Sequence, residues 1–123
     1  MLTDMSDGRQ QYRDLIDAMV YQCLHGQGQI GARRTRAGLW NANADKRPKD
    51  MPDQAAMNGL LRRLRPKDRE IVATQLAQEF VGGIHTALVL LYEAAVAPFD
   101  DGYEGDPFHD FVGRLDGWEW PES

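Results

Sequence analysis

Residues 100–123, DDGYEGDPFHDFVGRLDGWEWPES, bring together eight acids, His109, Trp118 and Trp120. Hard cations want several carboxylate oxygens on a flexible, glycine-containing loop, so calcium is the first chemistry to test here. The spacing fails. Counted from Asp101, the third and fifth loop positions are Tyr103 and Gly105, and no carboxylate falls on the remaining position of an EF-hand register. Asp106 reads instead as the N-cap of a short helix with Pro107 at its first position, and Asp110 as the partner of Arg114 four residues on. No metal site and no cofactor is expected.

His109 sits on the flank of that short helix, near Asp116, where neighbouring carboxylates would tune it as an acid or base. His85 falls in the most apolar turn of the chain, on the helical face of Val81, Val89 and Tyr92. A buried imidazole must find hydrogen-bond partners, so His85 is expected to tie the acidic tail to the core. A meeting of His85 with Asp101 or Asp106 would make a polar pocket. His85, Tyr92, Asp101, Asp106 and His109 are therefore the candidate ligand-binding residues. Catalytic candidates are missing. Ser6 and Ser123 have no elbow motif around them, Cys23 lies on an apolar helix face as a small buried hydrophobe, and GQGQIG lacks the preceding strand of a phosphate loop.

Charge is distributed in blocks. Residues 33–69 hold eleven Lys or Arg against four acids, and residues 98–123 hold one Arg against eight acids. No zinc pattern, helix-turn-helix spacing or stacking aromatic series accompanies the basic block, and a net charge of −5 opposes nucleic acid as the partner. Opposed charge blocks with bulky aromatics suit a protein contact, with another protein or with a second copy of the chain. Arg33, Arg34, Arg36, Trp40, Trp118 and Trp120 are the candidate contact residues.

These side chains need elements to hold them. Tyr12, Leu15, Ile16, Met19, Val20, Cys23 and Leu24 recur at helical spacing, which predicts a first helix from about Ser6 or Asp7 to Gly26. Residues 26–52 show early glycines and no sustained period, and are expected as a long basic loop. A second helix starts near Asp53 and buries Met57, Leu60, Leu61 and Leu64. Pro66 opens a third, whose apolar phase holds from Ile71 to Ala95 through Gly82 and Gly83. That phase predicts one long, central, most buried helix, with another backbone passing close to the glycine pair. The tail helix follows, with Phe108, Phe111, Val112 and Leu115 on one face and the two tryptophans pressed back onto the bundle.

A chain of 123 residues, 42% hydrophobic and 27% charged, is expected to make one globular domain over 1–123, with 98–123 as its acidic tail. Neither a secretory signal nor a membrane span is read, since TALVLLYEAAVA is interrupted by Glu93 and too short for a bilayer. One cysteine excludes disulfides within the chain, and the expected setting is cytoplasmic.

Two phrases, FVGGIHTALVLLYEA and DGYEGDPFHDFVGRLDGWEWP, resemble small bacterial proteins grouped as a helical domain family of unknown function, over about residues 70–121. The resemblance implies a bacterial cytoplasmic protein and brings no catalytic residues. The expected architecture is all-α, a small bundle around one long central helix with the short C-terminal helix and aromatic tail packed on it. The expected function is a non-enzymatic protein-interaction module, with self-association as one form of the contact. The alternative is a small-molecule-binding protein or hydrolase with its pocket near His85 and the acidic tail.

Overall fold

The computed structural model describes residues 4–122, with side chains from residue 8 onward. Ser123 and the side chain of Ser6, weighed above as nucleophiles, lie outside the described residues. Among the described residues six helices run in the order α1 (Asp4–Leu24), α2 (Gln27–Ala37), α3 (Ala42–Lys46), α4 (Pro52–Arg63), α5 (Pro66–Glu93) and α6 (Pro107–Leu115). No strand occurs among the described residues, and the all-α expectation holds. None of these helices is long and apolar enough to cross a membrane.

The chain gathers into two compact units, one running to His25 and resuming at Val81, the other spanning Gly26–Phe80. In the first unit α1 packs against α6. Tyr12, Ile16 and Cys23 form the buried stripe of α1, and Leu88, Phe99 and Phe111 are buried in the same unit. The stripe is narrower than the periodicity predicts, because Leu24 is left exposed. Burial pushes the Cys23 thiol pKa up, which keeps it protonated and inert.

The second unit corrects the largest misreading, since the basic loop expected over 26–52 contains α2 and α3. Helix α2 has no side-chain N-cap at Gly26 and few apolar residues, so no local signal announces it. It is held by packing. A Cβ at Gly31 would lie 3.2 Å from the Trp40 indole, so the helix backbone rests almost on the ring. At its far end Gly38 adopts φ +76°, closing the helix in the left-handed conformation that glycine tolerates. Asn41 caps α3, its side chain accepting from the Asn43 amide at 3.0 Å.

Asn58 of α4 is the polar centre of this unit. It is fully buried and uses all four of its hydrogen-bonding positions. Its Oδ1 accepts from the Trp40 and Asn41 amides at 2.7 and 3.0 Å, and its Nδ2 donates to the Asn41 carbonyl at 2.7 Å and to Asp45 at 3.1 Å. Leu61 is buried beside it, whereas Leu60, expected inside, is exposed. Asp53 lies within the first turn of α4 rather than capping it, because Pro52 already occupies that turn.

Helix α5 opens at Pro66 and is continuous through Gly82 and Gly83. Its expected burial is complete only at Ala73 and Leu88. Leu90 and Ile71 are 61% and 58% exposed, and a Cβ at either glycine meets no atom within 4 Å. No neighbouring backbone passes close to the glycine pair among the described residues.

Candidate functional site

Asp110 organises the chemistry-bearing tail. It is fully buried on α6, and its carboxylate accepts three hydrogen bonds. Tyr12 donates its hydroxyl at 2.5 Å, and the Tyr103 and Glu104 amides donate at 2.7 and 2.9 Å. Desolvation, then the hydrogen bond to Asp110, raise the Tyr12 phenol well above its ordinary pKa, so it remains a donor at any physiological pH. The backbone of the acidic loop is wrapped on this carboxylate, while the side chains of Asp100, Asp101 and Glu104 stay exposed. Gly102 makes the wrap possible, because a Cβ there would stand 2.6 Å from the Asp106 carbonyl and 2.7 Å from Asp110 Oδ2. The expected Asp110–Arg114 pair therefore does not form. Arg114 turns to Asp17 of α1 at 2.7 Å and to the Trp118 carbonyl.

Asp17 also accepts from the Trp120 indole N–H at 2.9 Å, which pins the aromatic tail to α1. Trp120 lies among Tyr12, Tyr103 and Trp118, with ring centroids 5.9, 5.1 and 5.4 Å away. The expectation that both tryptophans press back onto the helices is met. Arg9 covers the outer face of Tyr103 at 4.0 Å.

Asp106 caps α6 as expected, accepting from the His109 amide at 2.8 Å. Its other oxygen lies 2.7 Å from His109 Nδ1. Hydrogen bonding to Asp106, then its negative charge, hold the His109 pKa above the ordinary histidine value. The ring is oriented by its own helix cap, and it lines a groove of 840 Å³ with Glu104, Val112, Asp116 and Trp118. An imidazole fixed through Nδ1 beside a groove is the arrangement of a general acid or base. No Ser, Thr or Cys lines that groove to serve as a nucleophile.

His85 is half-buried, not enclosed, and its ring meets Phe108 edge-on at 5.5 Å instead of a polar group of the tail. Partial exposure leaves its nitrogens to water, which removes the need for the expected hydrogen bond. Tyr92 meets the same Phe108 ring at 5.8 Å, and Phe108 stacks beside His109 at 5.1 Å. Phe108 thus gathers His85, Tyr92 and His109, with Asp106 attached through His109. Asp101 stands apart, bonded through Oδ1 to the Gly102 amide at 2.9 Å, in a smaller groove of 530 Å³ with Arg9, Tyr12 and Pro98.

The contact candidates of the second unit divide. Arg36 is held by Glu70 at 2.7 Å, and Arg34 lies over the Trp40 ring at 5.8 Å. Trp40 is half-buried against Gly31, whereas Arg33 is exposed without an ion-pair partner among the described residues. Asp110 and Asp17 are the functional-looking residues that spacing misses. Tyr12, the side-chain partner of Asp110, and Arg114 and Trp120, the partners of Asp17, lie about a hundred positions away in sequence, where no local rule reaches.

Over residues 5–122 the chain matches DUF6547, described as a family of unknown function, and it belongs to that family. No curated protein and no solved structure matches it.

Proposed function

We propose that the chain is a non-enzymatic protein-interaction module that binds through two oppositely charged surfaces. The observation that carries this reading is the charge of the two compact units. The unit over Gly26–Phe80 holds eleven Lys or Arg against six acids, and the other unit holds three against thirteen. On the basic unit Arg33, Lys46, Lys49, Arg63 and Lys67 are exposed without ion-pair partners among the described residues. On the acidic unit the same holds for Asp100, Glu104, Asp116, Glu119 and Glu122. Charge kept free in this way steers encounter and selects partners by complementarity. A protein partner fits this surface better than nucleic acid, since the acidic unit repels phosphate. The bacterial, cytoplasmic setting implied by the resemblance agrees with one buried thiol.

Capture from the native host tests the reading, with wild type compared to a variant carrying Asp100→Asn, Asp101→Asn and Glu104→Gln. A partner identified by mass spectrometry should be retained by wild type at low salt and lost by the variant. Equal recovery on both contradicts the reading.

A small-molecule-binding or hydrolytic role is the second reading, and the Asp106–His109 pair beside the groove favours it. Under that reading His109→Gln abolishes binding or turnover while the charge variant keeps both.

A further inference from the structure

The end of α6 is closed so that one indole is fixed beside a groove. Gly117 takes φ +91°, the left-handed conformation of a helix stop, and its amide donates to the Arg114 carbonyl at 3.1 Å. The Trp118 amide then donates back to the Gly113 carbonyl at 2.8 Å. That turn lays the Trp118 ring against Gly113, where a Cβ would stand 3.5 Å from its Cε3, and against Trp120. The His109 ring is fixed in turn by Asp106. Glu104, Val112 and Asp116 line the 840 Å³ groove with these two rings, and all of them belong to the compact unit that resumes at Val81. We propose that this groove takes an arginine side chain carried on an exposed segment of a partner protein. The proposal rests on the protein-interaction reading and names the group that the acidic unit holds.

Charge selects a cation. Glu104 and Asp116 are exposed and have no ion-pair partner among the described residues. The neighbouring bases are already taken. Arg114 bonds to Asp17 at 2.7 Å and to the Trp118 carbonyl, and His109 is paired with Asp106, whose negative charge offsets an imidazolium. The charge of Glu104 reaches the His109 ring, so this carboxylate stands at the groove. An anion here would meet both carboxylates unopposed. Shape then favours guanidinium over ammonium, because a planar guanidinium stacks on an indole while its N–H fork meets a carboxylate, whereas an ammonium is a compact, strongly hydrated point charge. Size favours a chain segment over a small free cation. Pockets of about 300–1,000 Å³ enclose a drug-sized ligand, so one guanidinium fills a corner of this groove. Val112, 41% exposed, offers an apolar wall to the residues beside the arginine. Exposed carboxylates hold a cation weakly one at a time, so the contact is one anchor within the larger charged surface and is salt-sensitive.

Titration of the full chain with the blocked peptide acetyl-Val-Arg-Val-amide at about 50 mM salt, followed by NMR, tests this. The Trp118 indole N–H and the Val112 and Asp116 amides should shift and saturate. The same peptide with neutral citrulline in place of arginine should bind about tenfold more weakly or worse. A Glu104→Gln, Asp116→Asn variant should lose about tenfold in affinity for the arginine peptide with helix content intact, since neither side chain makes a hydrogen bond or ion pair among the described residues. A lysine peptide and free N-methylguanidinium should each bind more weakly than the arginine peptide. His109→Gln should bind it at least as well, because losing the imidazole leaves Asp106 unpaired and the groove more negative. No saturable shift, a citrulline or lysine peptide as tight as the arginine peptide, free N-methylguanidinium as tight, undiminished binding by the double variant, or loss of binding in His109→Gln overturns the inference. A host partner retained at low salt by the Glu104→Gln, Asp116→Asn protein, yet lost by the Asp100→Asn, Asp101→Asn, Glu104→Gln protein, overturns this inference alone and leaves the broader reading standing.

Discussion

Replacing Asp110 by Asn keeps the shape of the side chain and removes its charge. In the native fold Oδ2 takes the Tyr12 hydroxyl and the Tyr103 amide, and Oδ1 takes the Glu104 amide. A carboxamide has one acceptor oxygen. Whichever way it is flipped, one of the two backbone N–H groups faces an NH₂, while the Tyr12 hydroxyl can rotate to accept. A buried donor left unpaired costs about 1–3 kcal/mol, and the two surviving bonds each lose about 1 kcal/mol of charge assistance. Burying a neutral amide in place of a carboxylate recovers part of this, so the net loss is about 2–4 kcal/mol. Against a total stability of about 5–15 kcal/mol, that is a large fraction. Urea unfolding followed by circular dichroism reads it as a lower midpoint at an unchanged slope. Tyr12→Phe removes one donor and leaves the carboxylate two, so it should cost less, about 1.5–3 kcal/mol. The double variant should lose less than the sum of the two, because both act on one carboxylate. An Asp110→Asn protein within about 0.5 kcal/mol of wild type would refute the assignment of Asp110 as the anchor of the acidic loop.

Gly102→Ala places a Cβ 2.6 Å from backbone atoms of Asp106 and should destabilise by about 1–3 kcal/mol, whereas Gly82→Ala on the open face of α5 should be neutral or stabilising. Equal urea midpoints for the two variants would contradict the close approach. Asn58→Leu leaves the Trp40 and Asn41 amides and the Asn41 carbonyl without their partner, and should cost about 2–4 kcal/mol with loss of near-ultraviolet signal from Trp40. The raised His109 pKa means that the fold holds this proton more tightly than the unfolded chain does. Its stabilisation is complete below pH 6.5 and is lost as pH rises through the higher folded value. The melting-temperature difference between wild type and His109→Gln should therefore shrink from pH 5.5 to pH 9, and a difference independent of pH would contradict the Asp106–His109 bond.

What could be read from the residues was local. Asp106 and Pro107 announce α6, and Pro66 announces α5, because caps and first-turn prolines act within a few positions of themselves. Helix α2 escaped because its support is tertiary: Gly31 lies on the Trp40 ring, and Gly26 gives no side-chain cap. The Asp110–Arg114 spacing satisfied the helical pairing rule, yet Tyr12 and Asp17 of α1 claimed the two groups separately. A spacing rule counts only neighbours along the chain, and a buried carboxylate gains more from three donors than from one guanidinium that already has Asp17. Hydrophobicity around Leu90 predicts core but does not say which side of the helix is covered: Leu88 is fully buried, whereas Leu90 is left exposed.

Recovery of a host protein at low salt, measured side by side on wild type and on the Asp100→Asn, Asp101→Asn, Glu104→Gln variant, tests the interaction account most directly. The account predicts a partner retained by wild type and lost by the variant, with equal helix content in both. Equal recovery on both proteins would contradict it.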